Sequence, residues 1–87
     1  MTEDEIEGAE LAITAMVVTV SGFVAKNPAV PITAEVIQEA IATVMLKLEE
    51  EDGLQRRASE VAHEILESMT FTDFSRLSAI IARDPDR

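Results

Sequence analysis

Residues 11–25, LAITAMVVTVSGFVA, carry no charge, in a chain of 87 residues whose formal net charge is -10. A greasy run of this length has few fates: a strand buried on both faces, a membrane span, or a helix buried all round. The β-branched stretch VVTVSGFV (17–24) suits a buried strand, and periodicity alone does not decide a continuous apolar run. The helical flanks, and the lack of a second convincing strand, favour a helix. A span needs about 20 apolar residues, and this run lies between Glu10 and Lys26. A secretory signal opens with a basic segment, whereas this chain opens MTEDEIEGAE. The expectation is a soluble, cytoplasmic protein with no membrane partner.

A chain this short forms one small domain with a marginal core. Disulfides, metals or oligomerisation usually supplement such a core. With no cysteine and one histidine, disulfides, thiolate sites and a histidine-rich zinc site within one chain are excluded. Oligomerisation is the option left. The apolar content is Ala, Val, Ile, Leu and Met, with 3% aromatics, which suits thin helix–helix interfaces. Three glycines and three prolines leave little room for the turns of an all-β fold.

The pattern predicts an all-α bundle of about four helices in a single domain, residues 1–87. Thr2 and Glu5 form a capping box with Met1 and Ile6 at the staple positions, and a long first helix spans residues 3–26. NPAVPI (27–32) is a stiff linker that turns the chain back, because Asn27 precedes Pro28 and is pushed out of the α region. A second helix covers 33–52, capped at Thr33 between Ile32 and Ile37. Its stripe is Ile37, Ile41, Val44 and Leu48, and Gly53 fits a left-handed end. A third covers 54–69, with Ala58, Val61, Ala62, Ile65 and Met69 on one face. A short fourth covers 71–83, capped by Thr70 and Asp73, with Phe74, Leu77, Ile80 and Ile81 apolar and a frayed tail at 84–87. Helices two and three also read as one, since a 3–4 spacing runs through Gly53. A break there is preferred because it lets Glu49–Asp52 and Arg56–Arg57, each unfavourable at its own helix end, neutralise one another.

Helix one carries two apolar faces. Ile6, Ala9, Ile13, Met16, Val20 and Phe23 repeat at 3, 4, 3, 4, 3, the rhythm of packed helices. Leu11, Ala15, Val18, Gly22 and Ala25 form a second face, with Val17 beside the first. A helix apolar all round is buried all round, and three companions offering one stripe each cover one face only. An extra stripe of about 400 Å² is worth about 10 kcal/mol gross, before association costs. The expected solution is a symmetric dimer through Ile6, Leu11, Ile13, Met16, Val17, Val18, Val20 and Phe23, in which the small Ala15, Gly22 and Ala25 allow close approach.

Little in the chain carries chemistry. Glu60-x-x-His63 has the spacing of carboxylate-bridged di-iron bundles, with Glu64 and Glu67 nearby. No facing ligand is legible, and His63 falls on the surface side of its helix, so the pair is a weak metal candidate. Its serines and threonines lack a second histidine or a cysteine to activate them, and no phosphate loop is present. No catalytic residue and no cofactor are expected. Arg56, Arg57, Arg76 and Arg83 raise a helix-turn-helix reading, but they are too few to offset -10, so direct nucleic-acid binding is not expected. The charge is uneven: residues 1–55 hold 11 acids and 2 bases, net -9, and residues 56–87 hold 6 acids and 5 bases, net -1. Glu49, Glu50, Glu51 and Asp52 are the candidate surface for a basic partner.

VVTVSGFVAKNPAVP followed by IATVMLKL loosely resembles the N-terminal self-associating part of the Ros/MucR bacterial regulators. That family continues into a zinc finger with cysteine and histidines, which this chain lacks, so no site residue is carried over. The sequence thus leads to a non-enzymatic, homo-oligomeric adaptor, assembly factor or regulator with an acidic surface. The alternatives are an acidic inhibitor that mimics nucleic acid, of the phage anti-defence type, and a carboxylate–histidine metal protein assembled across a dimer.

Overall fold

A computed structural model describes residues 2–51 and 53–83, with the side chains of Ser78 and residues 80–83 left aside. Four helices follow one another: α1 (Glu3–Lys26), α2 (Ala34–Glu50), α3 (Arg56–Ser68) and α4 (Phe71–Arg83). The fold is all-α, with no strand among the described residues. VVTVSGFV lies inside α1. The expectations for Met1, Asp52, Ile80, Ile81, Arg83 and the tail fall on residues or side chains outside those described.

Local chemistry sets most of the boundaries. The Thr2 amide donates to Glu5 Oε1 at 3.0 Å, and the Glu5 amide donates to Thr2 Oγ1 at 3.3 Å, so two orphan donors of the first turn are satisfied reciprocally. At the far end, Asn27 leaves the helix with φ -134° and ψ 61°. Its amide donates to the Phe23 carbonyl at 2.9 Å and its side-chain Nδ2 to the same oxygen at 3.1 Å. Thr33 caps α2 through the Val36 amide at 3.4 Å. Thr70 and Asp73 repeat the reciprocal box at α4, both bonds at 3.1 Å. Gln55, ahead of α3, makes no side-chain cap.

The chain breaks between α2 and α3, but not by the expected left-handed turn. Glu51 is extended, and no glycine among the described residues has positive φ. Among the described residues, the arginines do not pair with the acidic run either. Arg57 reaches instead across to Glu5 at 3.2 Å and along its own helix to Glu60 at 3.7 Å.

Two contacts fix the topology. Glu5 meets Arg57 and Gly8 abuts Ala58, so α1 and α3 start at one end and run parallel. Grooves between α1 and α2 pair Leu11 and Ala15 with Val44, Leu48 and Glu51, and Thr19 and Phe23 with Val36, Glu39 and Thr43; α2 is therefore antiparallel to α1. The core joins Ala12, Met16 and Val20 of α1 to Ile37, Ala40, Val44 and Leu48 of α2. Ala62 and Leu66 come from α3, and among the described side chains Phe74 comes from α4. Every buried side chain among the described residues is apolar.

Candidate interaction surfaces

The buried row of α1 is Gly8, Ala12, Met16 and Val20, an i, i+4 row that lies about 50° round the helix from the expected seam. Gly8 explains the rotation. A Cβ there would collide with the Ala58 carbonyl oxygen and stand 3.0 Å from Val61 Cβ. The two backbones touch at this crossing, and Ala12, Ala58 and Ala62, all fully buried, continue it. The close crossing at Gly8 therefore turns this row inward.

That rotation redistributes the expected oligomer surface. Met16 and Val20 belong to the core of the single chain, so in this arrangement they are not available to a second copy, which corrects their assignment to the interface. Leu11, Ile13, Val17 and Phe23 are half-buried. Ile6 is 43% exposed and Val18 is 64% exposed, the highest value among the large apolar residues described, with Leu46 of α2 next at 61%. Thr14, Val18, Ser21 and Ala25, all exposed, line the side of α1 opposite the buried row, and Gly22, also exposed, lies at the edge of that side.

Gly22 differs from Gly8. A Cβ at Gly22 would meet nothing within 4 Å. An interior helical glycine costs about 1 kcal/mol relative to alanine, and within one chain no close approach accounts for this one.

By length and composition α1 could cross a membrane, and 22% of its apolar window is buried within the chain. The helix is thus far from enclosed. Beside it, an apolar groove of about 350 Å³ is lined by Val17, Ser21, Val24, Ile32 and Phe74. Val24 and Ile32 are exposed there, and Phe71 is exposed at the start of α4.

The opposite end is acidic. Because α2 descends alongside α1, its last turn, with Glu49, Glu50 and Glu51 exposed, arrives at the end that holds Glu3, Asp4, Glu7 and Glu10. The fold therefore gathers at one pole two acidic segments that lie forty residues apart in sequence. Arg57 partly offsets them. Glu5 has its pKa lowered, first by the Thr2 amide, then by the Thr2 hydroxyl and Arg57; Arg57 has its own raised by the bond to Glu5.

Glu60 and His63 each meet a different partner. Glu60 is exposed beside Arg57, and His63 Nδ1 donates to the Ser59 carbonyl at 2.8 Å, which a carbonyl acceptor requires of that nitrogen. No cluster of three candidate ligands occurs among the described residues. Arg56 and Arg57 open α3, and Arg76 is exposed on α4.

The likeness to the Ros/MucR regulators gains no support from wider comparison. No protein-family model matches this chain, and no curated protein or solved structure shows significant similarity to it.

Proposed function

We propose that this chain is a non-enzymatic protein-interaction module, an adaptor, assembly factor or regulator. One surface, the uncovered side of α1, meets a second copy; the acidic pole meets a basic partner. The exposure of Val18 in the charge-free half of α1 supports the reading most directly. Apolar patches that persist on a folded surface mark interaction sites. The separation of the acidic pole from that face supports assigning the two surfaces to different partners.

Sedimentation equilibrium from micromolar to millimolar protein tests the first surface. The weight-average mass is expected to rise towards the dimer, and a monomer throughout would remove the oligomer. Replacing Glu49, Glu50 and Glu51 together by Gln tests the second. Binding to a basic partner recovered from the native host should weaken, and unchanged binding would displace the acidic pole from its role. The same pole suits an inhibitor that imitates nucleic acid, so competition by DNA for that partner distinguishes the two forms of the reading.

A membrane reading has one observation in its favour, the length and composition of α1. Against it stand the five acids of the first two turns and the packing of Gly8, Ala12, Met16 and Val20 on the other helices. Flotation with neutral-lipid vesicles separates the two: the protein is expected to stay at the bottom of the gradient, and co-flotation would replace the proposal.

A further inference from the structure

Resting on that oligomeric reading, we infer that the second copy lies antiparallel along α1, with Val18 of each copy seated over Gly22 of the other. Val18 is the most exposed large apolar residue among those described, and at Gly22 a Cβ position has no neighbour within 4 Å, which leaves an open notch. They sit four residues apart, on adjacent turns of one face. A knob beside a notch complements a second copy of itself when the copy is reversed.

In that register each residue lies level with the one whose number completes a sum of 40. Val18 is level with Gly22, and Thr14 is level with Lys26. No acid falls inside the paired span, because the acids of α1 end at Glu10.

Charge selects the direction. A parallel pair would set two acidic poles side by side, in copies of net charge -10 each. The antiparallel pair puts the two Glu5 residues about 45 Å apart at 1.5 Å rise per residue, several times the screening length of about 8 Å at physiological salt. It also brings Lys26, the one cation of α1, to within about a turn of the partner's Glu10. A strip from Thr14 to Lys26 is about 18 Å long and about 10 Å wide, which covers on the order of 180 Å² per copy. That is under a quarter of a standard interface of about 800 Å² per partner. The dimer is accordingly reversible and fills well above micromolar concentration.

The absence of cysteine makes the register directly testable. Val18→Cys and Gly22→Cys proteins are prepared separately and oxidised at high protein concentration, alone and mixed. The antiparallel register expects the mixed disulfide to form at least about tenfold faster than either homodimeric one, since a disulfide needs Cα atoms within about 7 Å. Faster bonding of each variant with itself would show a parallel pair and overturn the inference. Gly22→Ala adds a second readout. It should raise the melting temperature of the dilute monomer by about 4–8 °C, yet weaken self-association about tenfold by filling the notch. A dimer of undiminished strength in Gly22→Ala would overturn the register while leaving the oligomer intact. A wild-type chain that stays monomeric at millimolar concentration would overturn both.

Discussion

Gly8 and Gly22 share a helix, and alanine in their places is expected to act with opposite sign. At Gly8 the methyl meets backbone that belongs to α3. Overpacking of this kind costs about 1–3 kcal/mol, more than the gain of up to about 1 kcal/mol in helix propensity. At Gly22 the methyl meets nothing, so the propensity gain stands alone. Urea titrations of the two variants at low protein concentration check this: the midpoint should fall for Gly8→Ala and rise for Gly22→Ala. Glu5 supplies a second residue-scale prediction. Its carboxylate accepts the Thr2 amide and the Arg57 guanidinium, and its pKa is lowered accordingly. A depressed pKa contributes stability above the unfolded-chain value, and that contribution is lost as the pH falls through the folded one. Thermal melts of Glu5→Gln should therefore be less stable than wild type at neutral pH and converge with it on acidification through and below the carboxylate range. Parallel pH curves would contradict this account.

At the scale of elements, α4 is held to the core by Phe74, which is 5% exposed, and by the Thr70–Asp73 box at its start. Truncating a buried phenylalanine costs about 3–5 kcal/mol. In Phe74→Ala the loss should fall on α4 first, so native-state hydrogen exchange ought to show its amides losing protection ahead of those of α1 and α3. Uniform loss across all four helices would mean that α4 folds as one unit with the rest. Caps explain why the elements themselves were legible in the sequence: Thr2 with Glu5, Thr33, and Thr70 with Asp73 each announce a helix start, and Asn27-Pro28 announces an end. What the sequence concealed follows from a different property. Because α1 is apolar nearly all round, its pattern does not mark which side faces inward. The decision falls to Gly8, whose missing side chain lets the backbones meet and turns the Gly8–Ala12–Met16–Val20 row to the core. The seam read from larger residues, Ile6 through Phe23, therefore lost Met16 and Val20 to the core and left Val18 as its most exposed apolar neighbour. Gly53 is ambiguous for a related reason: glycine allows positive φ without requiring it, and the chain leaves α2 through extended Glu51 instead.

The molecule as a whole is bipolar, and its two proposed surfaces should respond to salt with opposite sign. The acidic pole is assembled by topology: α2 runs back along α1, and its last turn joins the acids at the start of α1. Attraction between that pole and a basic partner is screened as ionic strength rises. The uncovered side of α1 holds no acid between Thr14 and Lys26, so self-association there has few ion pairs to lose. What opposes it is the mutual repulsion of two copies of net charge -10, and added salt screens that repulsion too. Between about 0.02 M and 0.5 M salt, where the screening length falls from roughly 20 Å to roughly 4 Å, dimerisation should strengthen while capture of a basic partner weakens. Sedimentation and partner-binding isotherms on the same preparation read both trends. If self-association instead weakened with salt, ion pairs rather than the Val18–Gly22 face would hold the copies together. The acidic pole of one copy would then be meeting cations of the other, Lys26 among them.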